Sequence, residues 1–454
     1  TIIGFLTLNF AEGAPFHDLG NITATGVAAA FILSISVLPA LMAILPVKVK
    51  VTEVKEEKAG MLERLAEFVI AHNKKLLIGS SLLVVLISAM ALTNELNNEF
   101  VKFFDKSVQF RTDTDYISDN ITGVYNVEFS LGAGEEDGIA NPEYLKRLDE
   151  FEAWFLTQPE VVHVNTFSEI MKRVNKSMHG DSLEYYRIPD NRAQAAQFLL
   201  LYEMSLPYGL DLNNQINVDK SETRFTVTTE NISSNEMIAL SKRAEAWLSD
   251  NAPEEMFSHG ISTALMFSHI TRSNVNSMLR GGFGALILIS IILIFALRSV
   301  KYGLISLVPN VAPIAVAFGL WGIFDGQINM ALAVVLGMTL GIVVDDTVHL
   351  LSKYMRGRRE FGKSPEDAIR YAFSTVGKAV VVTTVVLVSG FSVLMQSSFG
   401  FNSGMGQLTA ITIVCALVLD LILLPAILLA FDKGSPESVE SPKLLKEEAA
   451  SIEA

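Results

Sequence analysis

The chain has one cysteine among its 454 residues, Cys415, so no disulfide can form within it and cysteine usage does not fix its redox compartment. It also lacks an excess of positive charge. Thirty-five Lys and Arg against 49 Asp and Glu leave a net charge of −14, which gives no reason to expect nucleic acid, whose binding calls for a basic patch. No leader pattern is visible: the chain begins at Thr1-Ile2-Ile3-Gly4, already in apolar sequence and without methionine. We read it as a piece of a longer protein. Chemistry-bearing spacings are missing too. In the polar middle His163, His179, His259 and His269 are scattered, and no nucleophile–base or metal-ligand pattern accompanies them. Neither an enzyme, a metal site nor a cofactor is expected.

What is present in quantity is apolar sequence. Half of the residues are hydrophobic and the mean hydropathy is +0.38, more than a soluble domain of this size needs. The apolar residues cluster in long runs at both ends around a polar middle, the profile of a membrane domain carrying a soluble insert. Seven candidate spans fall at about 21–46, 76–92, 281–298, 302–324, 328–352, 374–397 and 405–431, each near the roughly 20 residues that a bilayer core requires. An amphipathic helix is expected at 61–72, with Leu62, Leu65, Phe68 and Val69 on one side. Lys and Arg crowd the segments 47–75 and 353–378 and are absent from the connections 325–327 and 398–404, so the basic loops are expected in the cytoplasm and the insert at 97–278 outside.

The insert reads as α+β. Strands are expected at 125–131 and 223–229, and helices from Asn141-Pro142, over 191–204 and from Ser234. Strands split by helices in this way suit two small ferredoxin-like units. The division expected for the chain is 1–46 as the end of a first membrane half and 47–75 as a cytoplasmic linker with the amphipathic helix. A spanning helix at 76–96, the insert at 97–278, a five-helix membrane domain at 279–432 and a disordered cytoplasmic tail at 433–454 complete it.

An internal repeat supports that division. Gly4-Phe5, Gly20, Thr23-Ala24, Ala30, Leu33 and Leu38-Pro39-Ala40 align without a gap on Gly390-Phe391, Gly406, Thr409-Ala410, Ala416, Leu419 and Leu424-Pro425-Ala426, at a constant offset of 425 − 39 = 386. Apolar composition does not generate matched Gly, Thr and Pro in one register. The first 46 residues therefore read as the end of one half and the rest as a second half. Such halves are typical of transporters that work at the interface between them.

The span at 328–352 carries the most informative residues. Gly337, Gly341, Asp345 and His349 recur every four residues, so a helix aligns them in one stripe. The glycines admit a closely packed helix, to which the same face offers a carboxylate and an imidazole. Asp346 lies about 100° further round. An aspartate in hydrocarbon costs at least about 2.5 kcal/mol, so two in sequence point to a functional role. Burial and mutual repulsion both favour a shared, exchangeable proton, which is what a proton relay requires. A hydrated position near the cytoplasmic end, or a static ion pair with the missing half, would also accommodate them. Thr383 and Thr384 in the next span can hydrogen-bond into the relay or to their own backbone.

Gly357-Arg-Arg-Glu-Phe-Gly362-Lys363-Ser364 matches the phosphate-loop pattern but follows a spanning helix instead of a strand. Ser364-Pro365-Glu366-Asp367 reads as a helix start, with Ser as N-cap and Pro at the first helical position.

The segment Gly341-Ile-Val-Val-Asp345-Asp346-Thr-Val-His349-Leu-Leu-Ser-Lys-Tyr354 resembles the relay helix of the resistance-nodulation-division (RND) superfamily, most of all its MMPL-type and hydrophobe exporters. Ser364-Pro-Glu-Asp-Ala-Ile369, Thr383-Thr384, Gly390-Phe391 and Leu424-Pro425-Ala426 continue the resemblance in order. It implies a membrane all-α bundle with an inserted α+β ferredoxin-like periplasmic porter domain, in a multi-pass protein of the bacterial inner membrane. It implies export of lipids or other hydrophobic compounds driven by inward proton flow, and places a proton role on Asp345 and Asp346 with support from His349 and Thr383. Implied partners are membrane lipids, a lipid-like substrate, the missing N-terminal half and further copies of the chain. In the drug-efflux branch the acidic pair lies in the first half; here the second half holds it, which favours lipid-like substrates. A lipid- or sterol-sensing receptor and an accessory to protein translocation are the alternative functions.

Overall fold

The computed structural model describes residues 1–11, 13–45, 60–97, 99–207 and 209–432. The charged stretch at 48–58 and the tail at 433–454 lie outside the described residues. The chain forms two compact units, one of Thr1–Glu95 with the sequence from Ser273 onward, the other of Leu96–Arg272.

Seven helices in the described residues are long and apolar enough to cross a membrane: Ala14–Ile44, Asn73–Thr93, Thr263–Ala296, Val300–Phe324, Met330–Arg359, Pro365–Leu394 and Gly400–Phe431. Several exceed the spans expected from hydropathy. Polar first turns such as Ser364-Pro365-Glu366-Asp367 extend a helix without adding apolar length, and Ser364 caps that helix by accepting from the Asp367 amide at 3.1 Å. A π-helical turn, Phe373–Gly377, interrupts the sixth span before Lys378–Leu394.

In this first unit the acidic helix Met330–Arg359 packs against the last helix, Gly400–Phe431, through Leu350, Leu351 and Tyr354 on one side and Leu421, Leu424 and Leu428 on the other. The amphipathic helix Met61–Ala71 joins the same cluster, but through Leu62, Leu65, Ala66 and Ile70. Phe68, expected on the buried side, is exposed, because the buried stripe is centred on Ala66, Val69 and Ile70.

The repeat is visible in the packing. A Cβ added at Gly20 would lie 2.7 Å from the Phe5 carbonyl oxygen and 2.8 Å from Leu8 Cβ. One added at Gly406 would lie 2.8 Å from the Phe391 carbonyl oxygen and 3.0 Å from Leu394 Cβ. These neighbours are themselves 391 − 5 = 386 and 394 − 8 = 386 residues apart. Both repeats fold a long helix back onto the segment before it, at a point where only glycine leaves room.

The second unit contains one three-stranded antiparallel sheet among its described residues. The strand Glu222–Thr229 lies between Tyr125–Gly132 and Val161–Asn165. A single bridge adds Ile261 at the outer edge of the first strand: the Ile261 and Glu128 amides each donate to the other residue's carbonyl, at 2.8 and 2.9 Å. In chain order the spatial sequence is fourth, first, third, second, the ferredoxin-like arrangement of two interleaved βαβ elements. The structure thus shows one such unit where two were expected. The helices Phe167–Met178 and Arg192–Ser205 lengthen the connection after the second strand instead of introducing a second sheet. Pro142–Phe155 is started by Asn141, whose side chain accepts from the Glu143 amide, and Ser234–Asn251 by a capping box of Ser233 and Glu236. Their apolar faces meet the sheet in a core of Phe129, Phe151, Phe155, Phe225 and Leu248.

Candidate functional site

The side chain of Asn329 starts the acidic helix by accepting from the Leu332 amide at 3.1 Å. From there the four-residue stripe runs along one face, and its glycines do admit a close neighbour. That neighbour lies on this chain, in the short helix Ile2–Leu6. A Cβ at Gly4 would sit 2.7 Å from Gly341 Cα, and one at Gly341 only 2.8 Å from the Thr1 carbonyl oxygen. The Thr1 hydroxyl also donates to the Gly341 carbonyl at 3.1 Å. The end of the first repeat thus folds back onto the glycine part of the stripe.

The two acids face different surroundings. Asp345 and His349 continue the stripe with side chains 67% and 58% exposed, and His349 Nε2 lies 4.0 Å from Asp345 Oδ1. Asp346 is 7% exposed and turned into the bundle, with Thr383 on the helix Lys378–Leu394 as a neighbour. The Thr383 hydroxyl itself donates to the Val380 carbonyl at 2.9 Å. Thr384 is not brought to the pair. It is buried with no hydrogen-bond partner for its hydroxyl among the described residues, since one step along a helix turns a side chain by about 100°.

A third carboxylate, which the sequence reading passed over, lies beside the pair. Asp420 on the last helix is fully buried and accepts from the Thr347 hydroxyl at 2.9 Å. Thr347 follows Asp346 directly, so two adjacent residues of the acidic helix engage two neighbouring helices. The signal was available: Asp420 is a single acid in the apolar run 405–431, and the cost argument used for Asp345 applies to it equally.

The arginine-rich end of the acidic helix closes in a buried charged node. Asp432 Oδ2 accepts from Tyr354 at 2.6 Å, Tyr302 at 2.8 Å and Arg358 Nε at 2.9 Å. Burial opposes the charge on Asp432, but these hydrogen bonds and the Arg358 guanidinium outweigh it and hold the carboxyl below the usual carboxylate range. The phosphate-loop look-alike lies just beyond, as a turn between two helices in which the Lys363 carbonyl accepts from Arg358 at 2.6 Å. Among the described residues no group of His, Cys, Asp and Glu could hold a metal ion.

Seven apolar helices among the described residues, with a ferredoxin-like unit inserted between the second and third, define a multi-pass membrane protein. The MMPL family model matches residues 213–443, and the chain belongs to this family. A membrane protein of Methanocaldococcus jannaschii, MJ1562, is 32% identical over 143 residues, which are 32% of this chain and 37% of that protein. Among solved structures, the hedgehog release protein Disp of the water bear Hypsibius dujardini is similar at a TM-score of 0.57 and 14% identity, covering 94% of this chain and 58% of that one. SecDF in its super-membrane-facing form aligns at a TM-score of 0.45 and 12% identity, over 100% of this chain and 48% of the other. The chain thus spans about half the length of these structures, and less of the curated relative.

Proposed function

We propose that this chain is the second half of a secondary transporter that exports lipid-like or other hydrophobic and amphiphilic molecules, driven by inward movement of protons. The observation that carries this reading is the division of the acidic pair. Asp345 lies beside His349 on the face left for the other membrane half, and Asp346 lies inside the bundle near Thr383. A proton that passes from one to the other moves between that interface and the interior of the helix bundle. Each charge that crosses supplies about 2.3 kcal/mol per 100 mV of potential, energy available to rock the helices against a second membrane half. In this reading Gly337 and Gly341 keep the end of the first repeat against the relay helix, so that movement of one is felt by the other. The ferredoxin-like insert then serves as an outward-facing porter domain, and the membrane is a cellular inner membrane.

The test uses the intact protein reconstituted into lipid vesicles with a pH-sensitive dye inside. Asp345→Asn and Asp346→Asn are each expected to abolish proton flux and export while leaving insertion and folding unchanged. Normal flux and export in both variants would refute the relay. Lipid binding that is indifferent to a proton gradient would point to a lipid-sensing receptor, and a secretion defect on deletion to an accessory of protein translocation.

A further inference from the structure

The relay as described leaves one buried acid without a role. Asp420 lies 431 − 420 = 11 residues from the end of its helix, about 16 Å at the helical rise, deep in the apolar region. Its Oδ1 accepts from the Thr347 hydroxyl, and its Oδ2 has no hydrogen-bond partner among the described residues. A second buried polar group is equally unsatisfied. Asn310, on the helix Leu307–Phe324, is fully buried, and neither its Nδ2 nor its Oδ1 has a partner. Packing fixes its level. The tilted rings of Tyr302 and Tyr354 lie 6.0 Å apart and Ile314 shares a cluster with Leu340 and Val344, so interpolation between these two contacts puts Asn310 at about the level of Asp346 and Thr347. Orphaned donors and acceptors are rare in folded proteins, so a buried carboxylate oxygen without a partner calls for a physical reason, of which a proton-carrying role is one.

We propose that Asp420 is a third proton-carrying carboxylate, the inner station of the relay, reached from Asp346 and held in place by Thr347. The proposal rests on the relay reading above. In the step, the Asp346 carboxyl gives up its proton and becomes anionic. Asp420 Oδ2 takes it and becomes neutral, and no other bond changes. Thr347 occupies Oδ1, which leaves Oδ2 as the receiving atom. Thr347, next to Asp346 in the chain, ties Asp420 to the turn of the acidic helix that carries the pair. The helices packed on the last one also carry Lys74 and Lys75, Lys378 and, on Met61–Ala71 and Pro365–Ala372, Glu63, Arg64, Glu67, Glu366, Asp367, Arg370 and Tyr371, while Lys301 donates to the Phe431 carbonyl at the helix end. Of these, Arg370 pairs with Glu67 and Asp367 at the surface, whereas the acidic pair adjoins Thr347, the partner of Asp420, and Cys415 lies five residues before Asp420 on the same helix. The repeat pairs Asp420 with Ser34, at 420 − 386 = 34, so this station belongs to the second repeat alone.

The experiment measures proton flux in vesicles containing the intact protein, alongside difference infrared spectroscopy of carboxyl C=O bands. Asp420→Asn is expected to lower flux at least tenfold and to remove one carboxyl band, with thermal stability kept. Thr347→Val, which keeps the shape and removes the hydroxyl, is expected to shift that band and move the pH profile of flux. It carries the test by itself if Asp420→Asn does not fold. Wild-type flux in Asp420→Asn, or an unshifted band and profile in Thr347→Val, would overturn the proposal. So would flux that follows a sodium gradient in place of a proton gradient. If Asp346→Asn stops flux and Asp420→Asn does not, the relay stands and the third station falls; if neither does, the relay itself falls.

Discussion

Replacing Asp432 by Asn would remove the charge at the centre of the buried node while nearly preserving its shape. The guanidinium of Arg358 and the hydroxyls of Tyr302 and Tyr354 all converge on this one carboxylate, and the Arg358 and Asp432 side chains are 9% and 6% exposed. Hydrogen bonds to a charged group contribute about 1.5–3 kcal/mol each. Breaking a buried ion pair by removing one partner costs about 3–5 kcal/mol, because the other charge stays buried without compensation. We therefore expect Asp432→Asn to destabilise the protein by about 3–5 kcal/mol. Arg358→Met combined with Asp432→Leu should cost less than either change alone, since the pair is then replaced by apolar packing. The assay is reversible unfolding in mixed detergent micelles, arranged as a double-mutant cycle. The pH dependence has a defined sign. A carboxyl whose folded-state value is depressed contributes stability that is fully present above its unfolded value of about 4 and is lost as pH falls through the lower folded value. Wild-type stability should accordingly be flat from about pH 5 upward and fall below about pH 4, and the fall should be shallower in Asp432→Asn. A single-variant cost below about 1 kcal/mol, or additive costs in the cycle, would refute the argument.

Other consequences can be tested in the same preparation. Gly20→Ala and Gly406→Ala would each press a methyl group onto a backbone carbonyl at an equivalent place in the repeat, so each is expected to cost about 1–3 kcal/mol; an unchanged melting temperature in either would remove the packing reason for the matched glycines. In the insert, the buried Tyr144 hydroxyl donates to the Leu131 carbonyl at 2.8 Å and lies 2.7 Å from the Thr223 hydroxyl. Tyr144→Phe should lower stability by about 1–3 kcal/mol by leaving these groups unsatisfied, measured by urea unfolding, and no change would mean that they find other partners.

Residue patterns with a local cause were legible from the sequence. Seven apolar runs of bilayer length give seven helices, because a backbone in hydrocarbon must satisfy its own hydrogen bonds. The repeat of four along Gly337, Gly341, Asp345 and His349 gives one face because the helix has 3.6 residues per turn. Alternation at 125–131 and 223–229 gives strands, and Ser364-Pro365 gives a helix start. Tertiary structure decided which of these faces meet. No local pattern shows that Thr347 reaches across 73 positions to Asp420, or that Arg358, Tyr302 and Tyr354 converge on Asp432. Nor does a local pattern lay Ile2–Leu6 on Gly341, or set the insert's strands in the order fourth, first, third, second. Hydrophobic length and helical period specify elements and their faces. Pairing between elements depends on side-chain fit and buried polar partners far apart in the chain, so only the assembled bundle could turn Asp420 from one acid in an apolar run into the neighbour of the acidic pair.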